Sequence, residues 1–207
     1  MAEDTAAKLN EAMDRYASGD ESAFQALYTL VSPRLYSFCV RLTRKRNEAD
    51  DLFQETFLKL HRSRSSYVAG STALHWTFAI ARSVHLDRLR YKKRRPESPA
   101  ETEDGLSTFD TLAASDGTSP EAHAQASELM AVIDDVIRRL PENQRAAYVL
   151  LKEEGLSVGD AAAVLGATAM AVKLRAHRAY EALRAAIADS EANRPSKGSA
   201  AARKGKT

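Results

Sequence analysis

The residues of this chain best suited to chemistry are cations interleaved with aromatics. Residues 74 to 91, "LHWTFAIARSVHLDRLRY", carry Trp76, Phe78 and Tyr91 with Arg82, Arg88 and Arg90 among them. Tyr67 precedes the stretch, His75 lies within it, and Lys92 and Lys93 extend it. Aromatics beside cations suit single-stranded nucleic acid, because every base has a stacking face and every nucleotide a phosphate. Trp76, Ile80 and Val84 share one helical face, so a core position is the simpler reading for those three. For the cations after Leu89, nucleic acid is the better reading. Bond-making chemistry has no such support. The chain has no Gly-rich phosphate loop, no HExxH and no nucleophile elbow. His61, His75, His85, His123 and His177 show no metal-ligand spacing. We expect no enzyme, no cofactor and no metal. Cys39 is the only cysteine, which excludes a disulfide framework and a cysteine-rich zinc site. Flanked by Phe38 and Val40, it reads as a small core residue.

A second constellation lies in "EADDLFQETFLKL", residues 48 to 60. Wound as a helix, Ala49, Phe53, Thr56, Phe57 and Leu60 form one face, with Leu52 at its edge. Asp51, Gln54, Glu55, Leu58 and Arg62 form the opposite face. A leucine ringed by polar groups is what a small protein interface needs. A scattered exposed leucine is also common. Periodicity leaves the two readings near even.

The third constellation is "LSVGDAAAVLGATAMAVKLRAHRAYEAL". Ser157 caps a short helix bearing Ala161, Ala162 and Leu165, Gly166 supplies a tight turn, and Thr168 caps a second helix. The second helix turns Val172, Ala176, Ala179 and Leu183 inward. It turns Met170, Lys173, Leu174, His177 and Arg178 outward, with Arg175 at the flank. That is the form of a helix-turn-helix whose second helix suits a major groove; an αα-hairpin with a solvated basic face is the blander reading, and the coincidence of Gly turn, cap and basic outer face favours DNA.

The elements that must position these groups are helices; no strand pattern or fixed-period repeat stands out. Residues 1 to 17 read as an Ala-rich N-terminal extension. Residues 18 to 95 hold a helix, a break near Pro33, and three further helical stretches. Residues 96 to 124 have no Lys or Arg, recurrent acids and few large apolar groups, which predicts a flexible acidic linker. Residues 125 to 188 resume helix, and residues 189 to 207 read as a disordered basic tail. The expected fold class is all-α, with two small helical domains joined by the linker. Thirty Lys and Arg against 28 Asp and Glu give a formal charge of only +2. The charges nevertheless alternate in blocks. No segment approaches the ~20 apolar residues of a membrane helix, and an acidic start without a long apolar run predicts no secretory signal. We expect no membrane insertion and a cytoplasmic location.

The ordered combination of "EADDLFQETFLKL", "ALHWTFAIARSVHLDRLRYKKRR", the acidic linker and "LPENQRAAYVLLKEEGLSVGDAAAVLGATAMAVKLRAHRAYEAL" resembles the extracytoplasmic-function sigma factors of bacteria, small members of the sigma-70 family. The resemblance covers roughly residues 18 to 95 and 125 to 188. It implies an alternative sigma factor, active in a stress or signal response, with core RNA polymerase (β′ clamp helices and β flap), promoter DNA and an anti-sigma factor as partners. It implies that Asp51, Gln54, Glu55, Leu58 and Arg62 meet the polymerase. Tyr67, His75, Trp76, Arg82, Ser83, Arg88, Arg90, Lys92 and Lys93 would meet the −10 element. Thr168, Met170, Lys173, Leu174, Arg175, His177 and Arg178 would meet the −35 element. The chain departs from the family pattern at Ser83, where Asn is usual, and at Leu174, Ala176 and Tyr180, where Ser, Leu and Arg are common. A dimeric helix-turn-helix regulator is the competing reading, and it leaves the first domain without a task.

Overall fold

The structure is a computed structural model describing residues 2–94 and 120–192. Its regular elements are eight α-helices among the described residues, with short 3-10 and π turns between them. They are α1 (Ala2–Ala17), α2 (Phe24–Thr43), α3 (Arg46–Ser63), α4 (Ala73–Arg94), α5 (Pro120–Arg139), α6 (Glu142–Tyr148), α7 (Val158–Leu165) and α8 (Ala169–Ala192). The all-α expectation holds. Most of the expected linker and nearly all of the expected basic tail lie outside the described residues. The last linker residues, from Pro120, already belong to α5, and α8 runs on to Ala192.

Helix α1 is more than an extension. Leu9, Ala12, Met13 and Tyr16 recur at helical spacing and are buried. Polar residues of the same helix cap a neighbour: Asn10 Oδ1 accepts from the Ala73 N–H at 2.9 Å, where α4 begins. Asp14 Oδ1 accepts from the Gly70 N–H at 3.2 Å. An orphan donor at a helix start is thus satisfied by a side chain distant in sequence.

Pro33 does not break the chain as the sequence suggested; α2 runs through it. A proline inside a helix removes one hydrogen bond and costs ~3 kcal/mol. Here Leu27, Val31, Leu35, Phe38 and Leu42 make one unbroken buried stripe on both sides of it. Splitting the helix would forfeit that burial, at about 1.5–3 kcal/mol per large side chain. Cys39 lies on the same stripe, fully buried, and burial pushes its thiol up to about 12. It is core and not a reactive thiol. Helix α2 ends on Arg44 at a left-handed φ of 67°, an unusual residue for that conformation.

The two helical domains pack on each other. Buried Ala146, Leu150, Leu156, Ala161 and Val164 of the second join the apolar cluster of the first. Arginines flank this seam. Arg41 reaches Asp134 at 2.6 Å and Glu153 at 2.9 Å. Arg34 reaches Glu154 at 2.8 Å. Arg44 donates to the Arg138 carbonyl at 2.7 Å, and buried Arg145 donates to the Leu42 carbonyl at 3.0 Å. Burial pushes the Glu153 and Glu154 carboxyls up, opposed by Arg41 and Arg34 respectively. His85 is buried beside Arg145; burial first, and then that guanidinium, pull its imidazole down to about 4.

Two outcomes follow from this packing. Met13→Ala should cost about 2–5 kcal/mol in urea denaturation, the range for emptying a core site; a merely appended helix would cost almost nothing. Unfolding returns His85 to its ordinary value near 6.5, so the unfolded chain takes up the proton first. Its contribution is full above pH ~6.5 and is lost as pH falls toward 4, by about 3 kcal/mol. His85→Leu should flatten that part of the stability-versus-pH curve, read as the difference between the two proteins.

Candidate functional site

The described residues offer three surfaces, one on each of α3, α4 and α8. Helix α3 buries Ala49, Leu52, Thr56, Phe57 and Leu60, which fixes its rotation. Thr56 keeps its buried hydroxyl satisfied by donating to the Leu52 carbonyl at 2.7 Å. Asp51, Gln54, Glu55, Leu58 and Arg62 are therefore all exposed, with Leu58 at 56%. A groove of about 630 Å³ opens beside Gln54 and Leu58 and is lined by Tyr16, Phe24, Tyr28, Phe53 and Phe57. The apolar character of this face extends beyond one leucine. The sequence reading missed the groove because its walls come from three helices.

The groups on and before α4 are less alike. Tyr67 is buried, donates its hydroxyl to the Ser71 carbonyl and meets Trp76 edge-on at 5.2 Å. Trp76 is half-buried, while Ile80 and Val84 are core. Ser83 accepts from Lys59 at 2.9 Å. Arg88 is tied to Glu55 of α3 at 2.6 Å, and Lys92 to Glu48 at 3.0 Å. Arg90 pairs with Asp87 at 2.8 Å, and Lys93 is exposed. Two members point into the seam. His75 lies 3.6 Å from Asp160, with its imidazole held below its ordinary value by burial first, against the pull of Asp160. Arg82 is buried and donates to Asn143 at 3.0 Å, with Glu142 at 3.8 Å. Desolvation lowers its pKa; Glu142 supports its charge, while Arg175 and Arg90 oppose it.

The helix-turn-helix is built as its sequence predicts. Ser157 Oγ accepts from the Asp160 N–H at 3.1 Å, and Thr168 Oγ1 from the Ala171 N–H at 3.2 Å. Gly166 takes the left-handed φ of 53° that ends α7. Val172, Ala176, Ala179 and Leu183 are buried. Thr168, Met170, Lys173, Leu174, His177 and Arg178 are exposed, Met170 at 74% and Leu174 at 48%. Arg175 stands apart: it is half-buried toward Arg82, and one of its terminal nitrogens is buried with no hydrogen-bond partner. Tyr180 is a packing residue. Its ring meets Tyr148 at 5.7 Å, with the Lys152 ammonium 5.3 Å from the ring centre. Among the described residues, no cluster of three His, Cys, Asp or Glu is placed to hold a metal ion.

This geometry has close relatives. The Sigma-70 region 2 family matches residues 27–95, and the Sigma-70 region 4 family matches residues 130–183. RNA polymerase sigma factor CarQ of Myxococcus xanthus is 34% identical over 179 residues, 86% of this chain and 97% of the relative. ECF RNA polymerase sigma factor EcfG of Rhodopseudomonas palustris is 37% identical over 155 residues, 75% of this chain and 80% of the relative. Among solved structures, the sigma factor RpoE of Bartonella quintana, in complex with the anti-sigma factor NepR, aligns with a TM-score of 0.62 at 25% identity. That alignment covers 83% of this chain and 98% of that one. Two family matches in order, on a helical pair of domains ending in a capped helix-turn-helix, place the chain among the extracytoplasmic-function sigma factors of the sigma-70 family.

Proposed function

We propose that the three surfaces divide the work of a sigma factor that directs RNA polymerase in transcription initiation. The outer face of α3 docks on core polymerase through Asp51, Gln54, Glu55, Leu58 and Arg62. The observation that carries this is Leu58, more than half exposed and ringed by polar groups, at the edge of an aromatic groove. Such a face is an apolar anchor with a polar rim. The cationic groups of α4 meet the −10 element, and the outer face of α8 meets the −35 element. Strand opening on this reading is driven by binding energy. Unstacking costs a few kcal/mol per base, offset by capture of the base on protein. No bond-making step is assigned.

The partners include an anti-sigma factor, as in the solved relative held by NepR. The protein acts in the bacterial cytoplasm, where polymerase and promoters are. No helix among the described residues is long and apolar enough to cross a membrane. A dimeric helix-turn-helix regulator would leave Leu58 and its groove without a task.

Two measurements test the assignments. Replacing Asp51, Glu55 and Leu58 together with alanine should weaken binding to sigma-free core polymerase by at least ~100-fold, as loss of a central anchor does. The denaturation midpoint should barely move, because all three are exposed. Unchanged polymerase binding would reject the α3 assignment. Lys173→Ala and Arg178→Ala should each weaken duplex binding and lower the salt slope by about 1 if they meet phosphates. An unchanged slope would reject that role.

A further inference from the structure

We propose that a cavity walled by the α2–α3 turn, α4, the end of α5 and the start of α6 binds a small anion that carries two or more linked phosphates, such as inorganic tripolyphosphate or a nucleoside triphosphate.

The cavity holds about 790 Å³, within the range of small-molecule sites. It shares only Lys92 with the α4 set and no residue with the α3 and α8 sets. Six cations line it: Arg44 and Lys45 from the turn, Lys92 from α4, Arg138 and Arg139 from α5, and Arg145 from α6. The carboxylates among the lining residues are Glu48, Asp135 and Glu142. Two of these are each divided between two cations. Glu48 lies 3.0 Å from Lys92 and 3.9 Å from Lys45. Asp135 lies 2.9 Å from Arg139 and 3.6 Å from Arg138. Glu142 lies 3.8 Å from Arg82, outside the lining. Three positive charges are left over among the lining residues. A cleft lined by an excess of one sign of charge concentrates ions of the other.

The buried part of the lining is short of acceptors. Arg145 is 3% exposed; its two terminal nitrogens donate to the Leu140 and Leu42 carbonyls, but its Nε is buried with no hydrogen-bond partner. His85, also in the lining, is 5% exposed, and its Nε2 is buried with no partner either. Burial first, and then the like charge of Arg44, lower the pKa of the Arg145 guanidinium to about 10. Buried polar groups are ordinarily satisfied, so a guanidinium held this way in a cationic cavity points to an oxygen-rich ligand. Guanidinium pairs with phosphate in two-point contacts and ammonium as a point charge, and this lining supplies both. Cations on four walls suit linked phosphates better than a single one, and the surplus charge suits a multiply charged anion. Leu42, Leu89, Leu140 and Pro141 complete the lining and leave apolar surface for a base or sugar.

The test is isothermal titration calorimetry on the full chain with tripolyphosphate, adenosine triphosphate and orthophosphate. Tripolyphosphate should bind saturably and at least ~tenfold tighter than orthophosphate. Still tighter binding of adenosine triphosphate would make the ligand a nucleotide; equal binding would make it the phosphate chain alone. Arg138→Gln with Arg139→Gln should weaken binding at least ~tenfold, and Lys45→Gln, on another wall, about threefold. All three side chains are more than a third exposed, so the denaturation midpoint without ligand should barely move. Lys8→Gln with Arg15→Gln removes the same charge on α1, which does not line the cavity, and should leave the affinity within about twofold. No saturable binding would overturn the proposal. Equal weakening by the α1 pair would overturn it too, as attraction to net charge alone. Binding that emerges only when Glu101, Glu103 and Asp104 are neutralised would make the chain's own acidic segment the occupant, which also overturns it.

Discussion

A guanidinium does not shed its charge at any pH the cell reaches, so each arginine buried at the seam dictates where an oxygen must stand. Arg145 is 3% exposed and takes carbonyls from Leu140 and Leu42. Arg41 takes carboxylates from α5 and from the turn after α6. Arg82 takes what α6 offers, and takes it incompletely. Together they set how the helix-turn-helix domain sits on the first domain. The continuous apolar cluster beneath them then has little choice of register. Even the left-handed Arg44 fits this constraint. Its strained backbone ends α2 at the point where its guanidinium meets the last turn of α5.

That arrangement treats the three surfaces differently. The outer face of α3 and nearly all of the outer face of α8 are exposed, while Arg82 and His75 of α4 are engaged at the seam. On the proposed assignments, this closed chain can meet polymerase and duplex DNA before it can meet a melted strand. The tie between Glu55 and Arg88 joins the proposed polymerase face of α3 to the proposed −10 face of α4 through one pair of side chains. A partner that engages α3 competes directly for a contact that holds an α4 cation.

Much of this was legible in the sequence where one helix carries its own signal. The rotation of α3 followed from Ala49, Phe53, Phe57 and Leu60. The helix-turn-helix followed from Ser157, Gly166 and Thr168, whose caps are local hydrogen bonds between near neighbours. What escaped was long-range. The pairs Arg41–Asp134 and Arg34–Glu154 join residues separated by 93 and 120 positions, across the linker. No periodicity announces such pairs. Leu9, Ala12, Met13 and Tyr16 of α1 have helical spacing, but the abundant alanine and charge around them mask it. At Pro33 the local rule predicts a break, and the unbroken apolar stripe around it outweighs that rule. Tyr180, one of the departures from the family pattern, packs on Tyr148, a contact 32 positions away that local spacing does not announce.

On the proposed assignments, this one chain turns core polymerase into a promoter-specific enzyme through two DNA-contact helices. Run-off transcription tests it most directly. Purified protein, sigma-free core polymerase and a pooled library of promoter fragments from the same host are mixed, and RNA starts are mapped. A sigma factor gives discrete starts that share two upstream motifs at one fixed spacing, and they are lost when Leu58 is replaced by aspartate. Absence of new starts, with a palindrome protected on bare duplex by the protein alone, would contradict it.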